Sequence, residues 1–339
     1  MNERYSRQEL FAPIGPLGQS KLKKKHVLVI GAGALGTGSA EVLVRAGVGK
    51  LTIVDRDYVD WSNLQRQNLY TEKDANQQIP KAVAAKDRLT LINSEVEIES
   101  LLMDVSVEEL EQLVKDVDLI MDATDSFDIR MLINDVSQKY QIPWIYGACV
   151  GSYGISYTIL PGETPCLNCL LETTPMSGVT CDTVGIISPA VQMVVSYQTS
   201  EALKILVEDY HALRKKLVSF DLWENKYAAI NVDKVKKESC LSCGISPTYP
   251  YLTFSNQTKT AILCGRNTVQ IRPSKPVDRN LESLANTLSK QGGKISHNPY
   301  LLSFLIGDHR LVIFKDGRVL VHGTKDIAEA KVLYQRYLG

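Results

Sequence analysis

Cysteine is scarce in this chain and neither sign of charge is in excess. Seven cysteines in 339 residues are too few for a disulfide scaffold, and the number is odd. A reducing compartment with free or metal-bound thiols follows. Lys+Arg and Asp+Glu both total 38, so no net positive field marks a nucleic-acid surface. No apolar run is long enough to span a bilayer. The opening residues, Met1-Asn-Glu-Arg-Tyr-Ser-Arg-Gln8, hold no apolar stretch of signal-peptide type. The expectation is a cytoplasmic protein with neither membrane nor nucleic-acid partner. There is no P-loop, which excludes a Walker-type ATPase, and no internal repeat or low-complexity segment. What remains is ordinary globular composition, 44% hydrophobic, long enough for one large domain and a smaller one.

The first half alternates short apolar runs with helical patterns. Residues 26–30 (His-Val-Leu-Val-Ile) end at a glycine loop, Gly31-Ala-Gly33-Ala-Leu-Gly36, which opens a helix over 34–46 stopped by Gly47. Strands are expected at 51–54, 96–102, 119–121 and 143–148, with helices over 81–91, 107–114 and 129–140. That alternation implies a Rossmann-like, doubly wound α/β sheet. Later strands at 152–160, 216–221 and 227–232, around a long helix over 189–207, imply a mixed sheet, parallel first and antiparallel afterwards. From about residue 250 a small α+β appendage is expected. Its hairpins are 260–264 with 268–272, and 311–314 with 318–321 around Lys315-Asp316-Gly317; its helices are 278–291 and 326–338. The domain boundaries read as 1–248 and 249–339.

Candidate site residues cluster at the carboxyl ends of the expected strands, where such sheets bind nucleotides. A glycine loop lets the backbone approach phosphate at a helix N-terminus, and Asp55, some 20 residues on, suits a ribose hydroxyl. Asn63, Gln65, Arg66 and Gln67 crowd one segment interleaved with Trp61, Leu64 and Leu69, so the segment should pack rather than be a solvated loop. A packed arginine requires an anion. Lys81 opens a helix; alone it reads as surface decoration, beside Arg66 as a second phosphate cation. In Asp122-Ala-Thr-Asp125, Asp125 suits Mg²⁺, the plainer alternative being a helix N-cap by Thr124, Asp125 or Ser126.

Cys166-Leu-Asn-Cys169 and Cys240-Leu-Ser-Cys243 supply four thiolates, the full set for a closed tetrahedral zinc site. They could also be free buried thiols. Each pair resembles a redox motif, although neither is expected at a strand-to-helix start of thioredoxin kind. Paired knuckles flanked by turn residues favour structural zinc. Cys181 falls in a Gly/Thr/Ser/Pro-rich crossover loop over 173–188 and reads as a nucleophile in preference to an incidental surface thiol. Cys149 and Cys264 read as core residues.

Together these motifs resemble the ubiquitin-activating superfamily in its bacterial ThiF/MoeB/HesA branch. Arg4-Tyr-Ser-Arg7-Gln8, the glycine loop, Asp55-Arg-Asp57, Ser62-Asn63-Leu-Gln65-Arg66-Gln67, Pro80-Lys81 and Asp122-Ala-Thr-Asp125 follow in family order. Pro165-Cys166, Cys169, Thr180-Cys181, Gly185, Pro189 and Cys240/Cys243 complete it, over about residues 1–245. Ser126 stands where the family commonly has asparagine.

The resemblance implies ATP and Mg²⁺, with a ubiquitin-like sulfur-carrier protein adenylated at its C-terminal Gly-Gly carboxylate. By the same resemblance Gly31, Gly33, Gly36 and Asp57 belong to the nucleotide site and Asp55 takes the ribose. Asn63 and Gln65 orient phosphate or ribose, Arg66 and Lys81 supply positive charge, and Asp125 holds Mg²⁺. Arg7 would reach the neighbouring subunit's phosphates, which implies a homodimer. Cys181 would conjugate the carrier or relay sulfur. A cysteine desulfurase or another donor would be a further partner. The thiazole (thiamine) carrier is favoured, with the molybdopterin carrier as the alternative. An NAD- or FAD-dependent oxidoreductase would leave Arg66, Lys81 and the cysteine pairs idle. A non-catalytic carrier-binding scaffold would leave Arg7, Arg66, Lys81 and Asp125 without purpose.

Overall fold

The computed structural model describes residues 3–171, 184–252, 260–262, 267–272 and 277–338. The chain divides into two compact units, Met1–Ser255 and Asn256–Gly339.

The first unit is built on an eight-stranded sheet in the order β3-β2-β1-β4-β5-β6-β7-β8. β1 (His26–Ile30), β2 (Lys50–Asp55), β3 (Glu97–Leu102), β4 (Leu119–Asp122) and β5 (Trp144–Val150) run parallel. β6 (Tyr153–Ile159), β7 (Leu217–Asp221) and β8 (Lys226–Ile230) continue antiparallel. Alternate residues of β1 show why its apolar run is continuous. Val27 and Val29 join a core with Leu43, Leu51, Ile53, Leu89 and Ile205. Leu28 and Ile30 join the other with Ile120, Met131, Leu132, Trp144 and Tyr157. A parallel strand covered on both faces needs apolar residues on both.

Strand order reverses between β1 and β4, and such a switch point opens a crevice at the carboxyl ends. The helix Ala34–Ala46 leaves β1 toward it and stops at Gly47, left-handed at φ 82°. The helices Lys81–Ile92, Phe127–Tyr140 and Ser188–Leu206 complete the layers.

Most expected elements are present, with boundaries shifted by a few residues. β5 runs on through Cys149, so that thiol is half-buried within the strand rather than beyond it. The helices Gly15–Leu22 and Glu72–Asn76 were not expected, because short amphipathic turns leave little periodic signal. Among the described residues no helix is long and apolar enough to cross a membrane.

The second unit is a six-stranded antiparallel sheet, β11-β12-β13-β14-β10-β9. Its strands are β9 (Thr260–Ile262), β10 (Thr268–Ile271), β11 (Lys294–His297), β12 (Leu301–Ile306), β13 (His309–Phe314) and β14 (Val319–His322). The helices Leu281–Ser289 and Ile327–Leu338 bury Leu288 and Ala330 against Phe304, Leu311 and Val321. Both expected hairpins form, and Gly317 takes φ 89° in the second turn. β11 and β12 add a pair the sequence did not announce. β11 is an edge strand with three of its four residues exposed, so it shows no apolar alternation. Cys264 lies outside the described residues.

Candidate active site

The glycine loop is held by backbone contact. Gly31 has φ 101°, a region that favours glycine. A Cβ on Gly31 would strike the Ala123 carbonyl oxygen, and one on Gly36 would strike that of Gly31. The loop therefore lies flat between β4 and its own helix. Gly33 occupies the N-cap without a capping side chain, so the first helical N–H groups stay available to an anion. The Asp55 carboxylate, ending β2, accepts from Ala32 N at 2.6 Å and from Asp57 N at 2.7 Å. Each oxygen keeps a lone pair for a further donor. Burial pushes its carboxyl up, and the Lys81 charge opposes that shift.

The segment after β2 folds back over this loop. Asn63 is 2% exposed and accepts from Asp60 N at 3.0 Å in a capping box. Gln65 is exposed, its amide 3.5 Å from the Ile186 carbonyl oxygen. Arg66 is half-buried and donates to the Ser62 carbonyl at 2.8 Å; it has no ion pair among the described residues. Gln67 is buried, its Oε1 without a partner among the described residues, and its Nε2 lies 4.0 Å from where a Gly33 Cβ would sit. Leu64 and Leu69 pack as expected, whereas Trp61 is 53% exposed and does not belong to that packing. Tyr70 ties the segment down, donating between the Ala32 and Lys81 carbonyls at 2.6 and 3.1 Å.

Lys81 opens its helix buried, not on the surface. Its side chain is 5% exposed and Nζ lies 3.6 Å from Asp57 Oδ2. Arg56, which the sequence did not single out, joins the same charges. Burial opposes its charge, but Asp104, Asp57, Asp125 and Asp55 outweigh burial and hold the guanidinium above its ordinary range.

At the end of β4 the cap goes to Ser126, whose Oγ accepts from Ile129 N at 3.4 Å. Asp125 is thereby left exposed, with no hydrogen bond or ion pair among the described residues. Asp122 is fully buried and receives the Arg130 guanidinium at 3.0 Å. Burial pushes its carboxyl up against the opposing Arg130 charge. A buried arginine facing back along its helix to a strand-end acid is the signal that could have revealed this pair.

The opening motif is mostly anchorage. Tyr5 is buried, its hydroxyl accepting from Asn93 at 2.9 Å. Arg4 donates to the Ile92 carbonyl at 3.0 Å and Gln8 to that of Ala46 at 2.9 Å. Arg7 alone is exposed without a hydrogen bond or ion pair among the described residues.

The cysteine pairs converge. Sγ–Sγ distances are 4.0 Å for Cys166–Cys169, 3.7 Å for Cys166–Cys240 and 3.5 Å for Cys169–Cys243. All four sulfurs lie within 4.8 Å of one another. A tetrahedron with Zn–S near 2.3 Å has edges of about 3.8 Å, so the set fits zinc. Hydrogen bonds from Cys166 and Cys243 hold the Cys169 thiol down, while those to Cys169 and Cys243 push Cys166 up. Four such close thiols can all ionise only around a cation. The first pair opens a short helix, Leu167–Leu171, but a turn separates that helix from the end of β6 at Ile159, so it is not a direct strand-to-helix start. Its burial against the second pair separates it from an accessible redox motif. Cys181 lies outside the described residues.

A Bacillus subtilis protein named sulfur carrier protein ThiS adenylyltransferase is 53% identical over 339 residues, covering 100% of both chains. A Thermus thermophilus sulfur carrier protein adenylyltransferase is 34% identical over 253 residues, 73% of this chain and 92% of the relative. The crystal structure of Escherichia coli MccB with ATP shares the fold, with TM-score 0.63 and 22% identity over 72% of this chain and 74% of that one. The description of the ThiF family matches residues 5–242, and the chain belongs to the ThiF family.

Proposed function

We propose that this enzyme adenylates the C-terminal carboxylate of a ubiquitin-like sulfur carrier with ATP and releases pyrophosphate, the carrier being of the ThiS, thiazole-forming type. The observation that carries this reading is the end-to-end likeness to the Bacillus subtilis ThiS adenylyltransferase. That likeness spans the whole chain, whereas the 34% relative matches 73% of it.

The chemistry suits the residues. A carboxylate attacking the α-phosphorus must approach neutralised oxygens, and the departing pyrophosphate develops charge. The uncapped helix after Gly33 and the partnerless Gln67 oxygen fit a polar ligand laid on the glycine loop. Asp55 and Asp57 border it, and Asp55 retains acceptor capacity for ribose. Asn63 and Gln65 precede Arg66, which has no ion pair among the described residues and supplies positive charge together with Lys81, itself 3.6 Å from Asp57. Asp125 is the ligand for Mg²⁺, which when bound neutralises phosphate oxygens. Arg7, exposed and unengaged, is assigned to the site of a second subunit in a homodimer. The four knuckle cysteines hold structural zinc. Cys181 is assigned to conjugation or sulfur relay, and full sulfur transfer by Cys181→Ala would remove that assignment.

ATP–pyrophosphate exchange with purified carriers tests the reading. Exchange that requires the thiazole carrier is expected. Exchange driven by the molybdopterin carrier instead would reassign the pathway, and none with any carrier would refute adenylation.

A further inference from the structure

One helix touches both the Asp125 loop and the cysteine knuckles. At its start, Asp122 Oδ1 accepts from Thr124 N at 3.1 Å and Thr124 Oγ1 accepts from Ser126 N at 3.1 Å. Arg130 then bonds Asp122 at 3.0 Å, the Thr124 carbonyl at 2.7 Å and the Gly147 carbonyl at 3.3 Å. Arg130 thus holds the Thr124 carbonyl directly and the Thr124 N–H through the strand-end Asp122, and Asp125 sits between Thr124 and the capping Ser126.

One turn beyond Arg130 the same helix grips the zinc knuckles. Asn134 Oδ1 accepts from Leu167 N at 2.8 Å, inside the first Cys-x-x-Cys. Asn134 Nδ2 donates to Asp135 at 3.3 Å, and Asp135 Oδ2 accepts from Tyr251 N at 2.9 Å, just after the second knuckle. Burial pushes the Asp135 carboxyl up, and the buried Ser242 hydroxyl nearby, inside the second Cys-x-x-Cys, opposes that shift. Asn134 and Asp135 are both fully buried. Buried polar side chains are retained at a cost unless satisfied; Asn134 is satisfied by the backbone of the first knuckle, and Asp135 by the Tyr251 N–H. Arg130 and Asn134, at i and i+4, share one helix face.

We propose that the helix Phe127–Tyr140 is a strut that couples the cysteine knuckles to the Asp125 loop, with Asn134, Asp135 and Arg130 as positioning residues. Zinc then does more than close a surface knuckle: it fixes the far end of the element that aims Asp125. The inference rests on the proposed Mg²⁺ role of Asp125.

The test measures ATP binding by calorimetry at increasing Mg²⁺, with zinc content and thermal midpoint read on the same samples. Asp125→Ala should raise the Mg²⁺ needed for half-maximal binding about tenfold. Asn134→Ala and the milder Asp135→Asn should raise it several-fold while remaining folded. Arg130→Lys should do the same, because a lysine cannot reproduce the guanidinium fork. Chelating zinc from wild type should also raise it, and chelation should add little to Asn134→Ala, since the two perturb one connection. Variants that change zinc retention or melting but keep the wild-type Mg²⁺ dependence, while Asp125→Ala alters it, would overturn the strut. If Asp125→Ala itself leaves Mg²⁺ dependence unchanged, the Asp125 assignment and the strut fall together.

Discussion

At the amino ends of the parallel strands, Lys25 reaches Asp118 and Glu208 at 3.1 and 3.2 Å, and Lys50 reaches Glu99 and Glu97 at 3.1 and 3.2 Å. His26 is engaged at both ring nitrogens, by the Asp116 carbonyl and the Thr52 hydroxyl. At the carboxyl ends, Arg66 and Asp125 have no ion pair among the described residues, and buried Lys81 meets Asp57 only at 3.6 Å. Both edges carry many charges in one sheet. The amino edge is closed on itself, whereas the carboxyl edge pairs Arg130 with Asp122 and Arg56 with Asp104 but leaves Arg66 and Asp125 without an ion pair among the described residues. The difference separates charge that supports the fold from charge free to meet a ligand, and it predicts which substitutions move stability and which move activity.

The sharpest break would be at Lys81. Lys81→Ala should lower carrier-dependent exchange by about 10²–10³-fold, the scale of a lost charge-stabilising group, with a thermal midpoint close to wild type; steady-state exchange and calorimetry would show it. The knuckle should behave in the opposite way. Cys166→Ala removes one of four ligands and should cost about 4 kcal/mol or more of stability, read as lost zinc and a lower midpoint.

A subtler contrast lies in pH. Burial is the largest influence on His26 and lowers its pKa in the fold, below the ordinary 6.5. The folded state therefore prefers the neutral ring. Its stabilising contribution is whole above about pH 6.5 and is lost as pH falls through the folded pKa. His26→Gln should flatten the dependence of the thermal midpoint on pH across that window. The smallest effect is expected for Glu97→Gln. Its pair with Lys50 is mostly solvent-exposed, and its loss should cost about 0.5 kcal/mol or less in urea unfolding. A larger loss would mean that the amino edge acts as one network.

Legibility followed sequence distance. The glycine loop, Asp55 and Lys81 were readable because each is fixed by its own strand or helix boundary. The cysteine pairs were readable because four thiolates have few other uses. The roles proposed for Arg7 and Asn63 come from the resemblance to a known family, which spacing alone does not supply. Unreadable were contacts made across the fold: Asn134 with Leu167, 33 residues on, and Asp135 with Tyr251, 116 residues on. Local rules cannot place these partners, and a polar residue on an otherwise apolar helix face reads as solvent-exposed until its partner is seen. Ser126 caps the helix, as an asparagine also would, and Asp125 beside it has no hydrogen bond among the described residues.

Carrier-dependent ATP–pyrophosphate exchange in wild type and Asp125→Ala, with melting followed in parallel, tests the open edge most directly. Exchange abolished in Asp125→Ala at an unchanged thermal midpoint is the expected result. Wild-type exchange in that variant, or its loss only together with unfolding, would contradict a carboxyl edge kept open for nucleotide and metal.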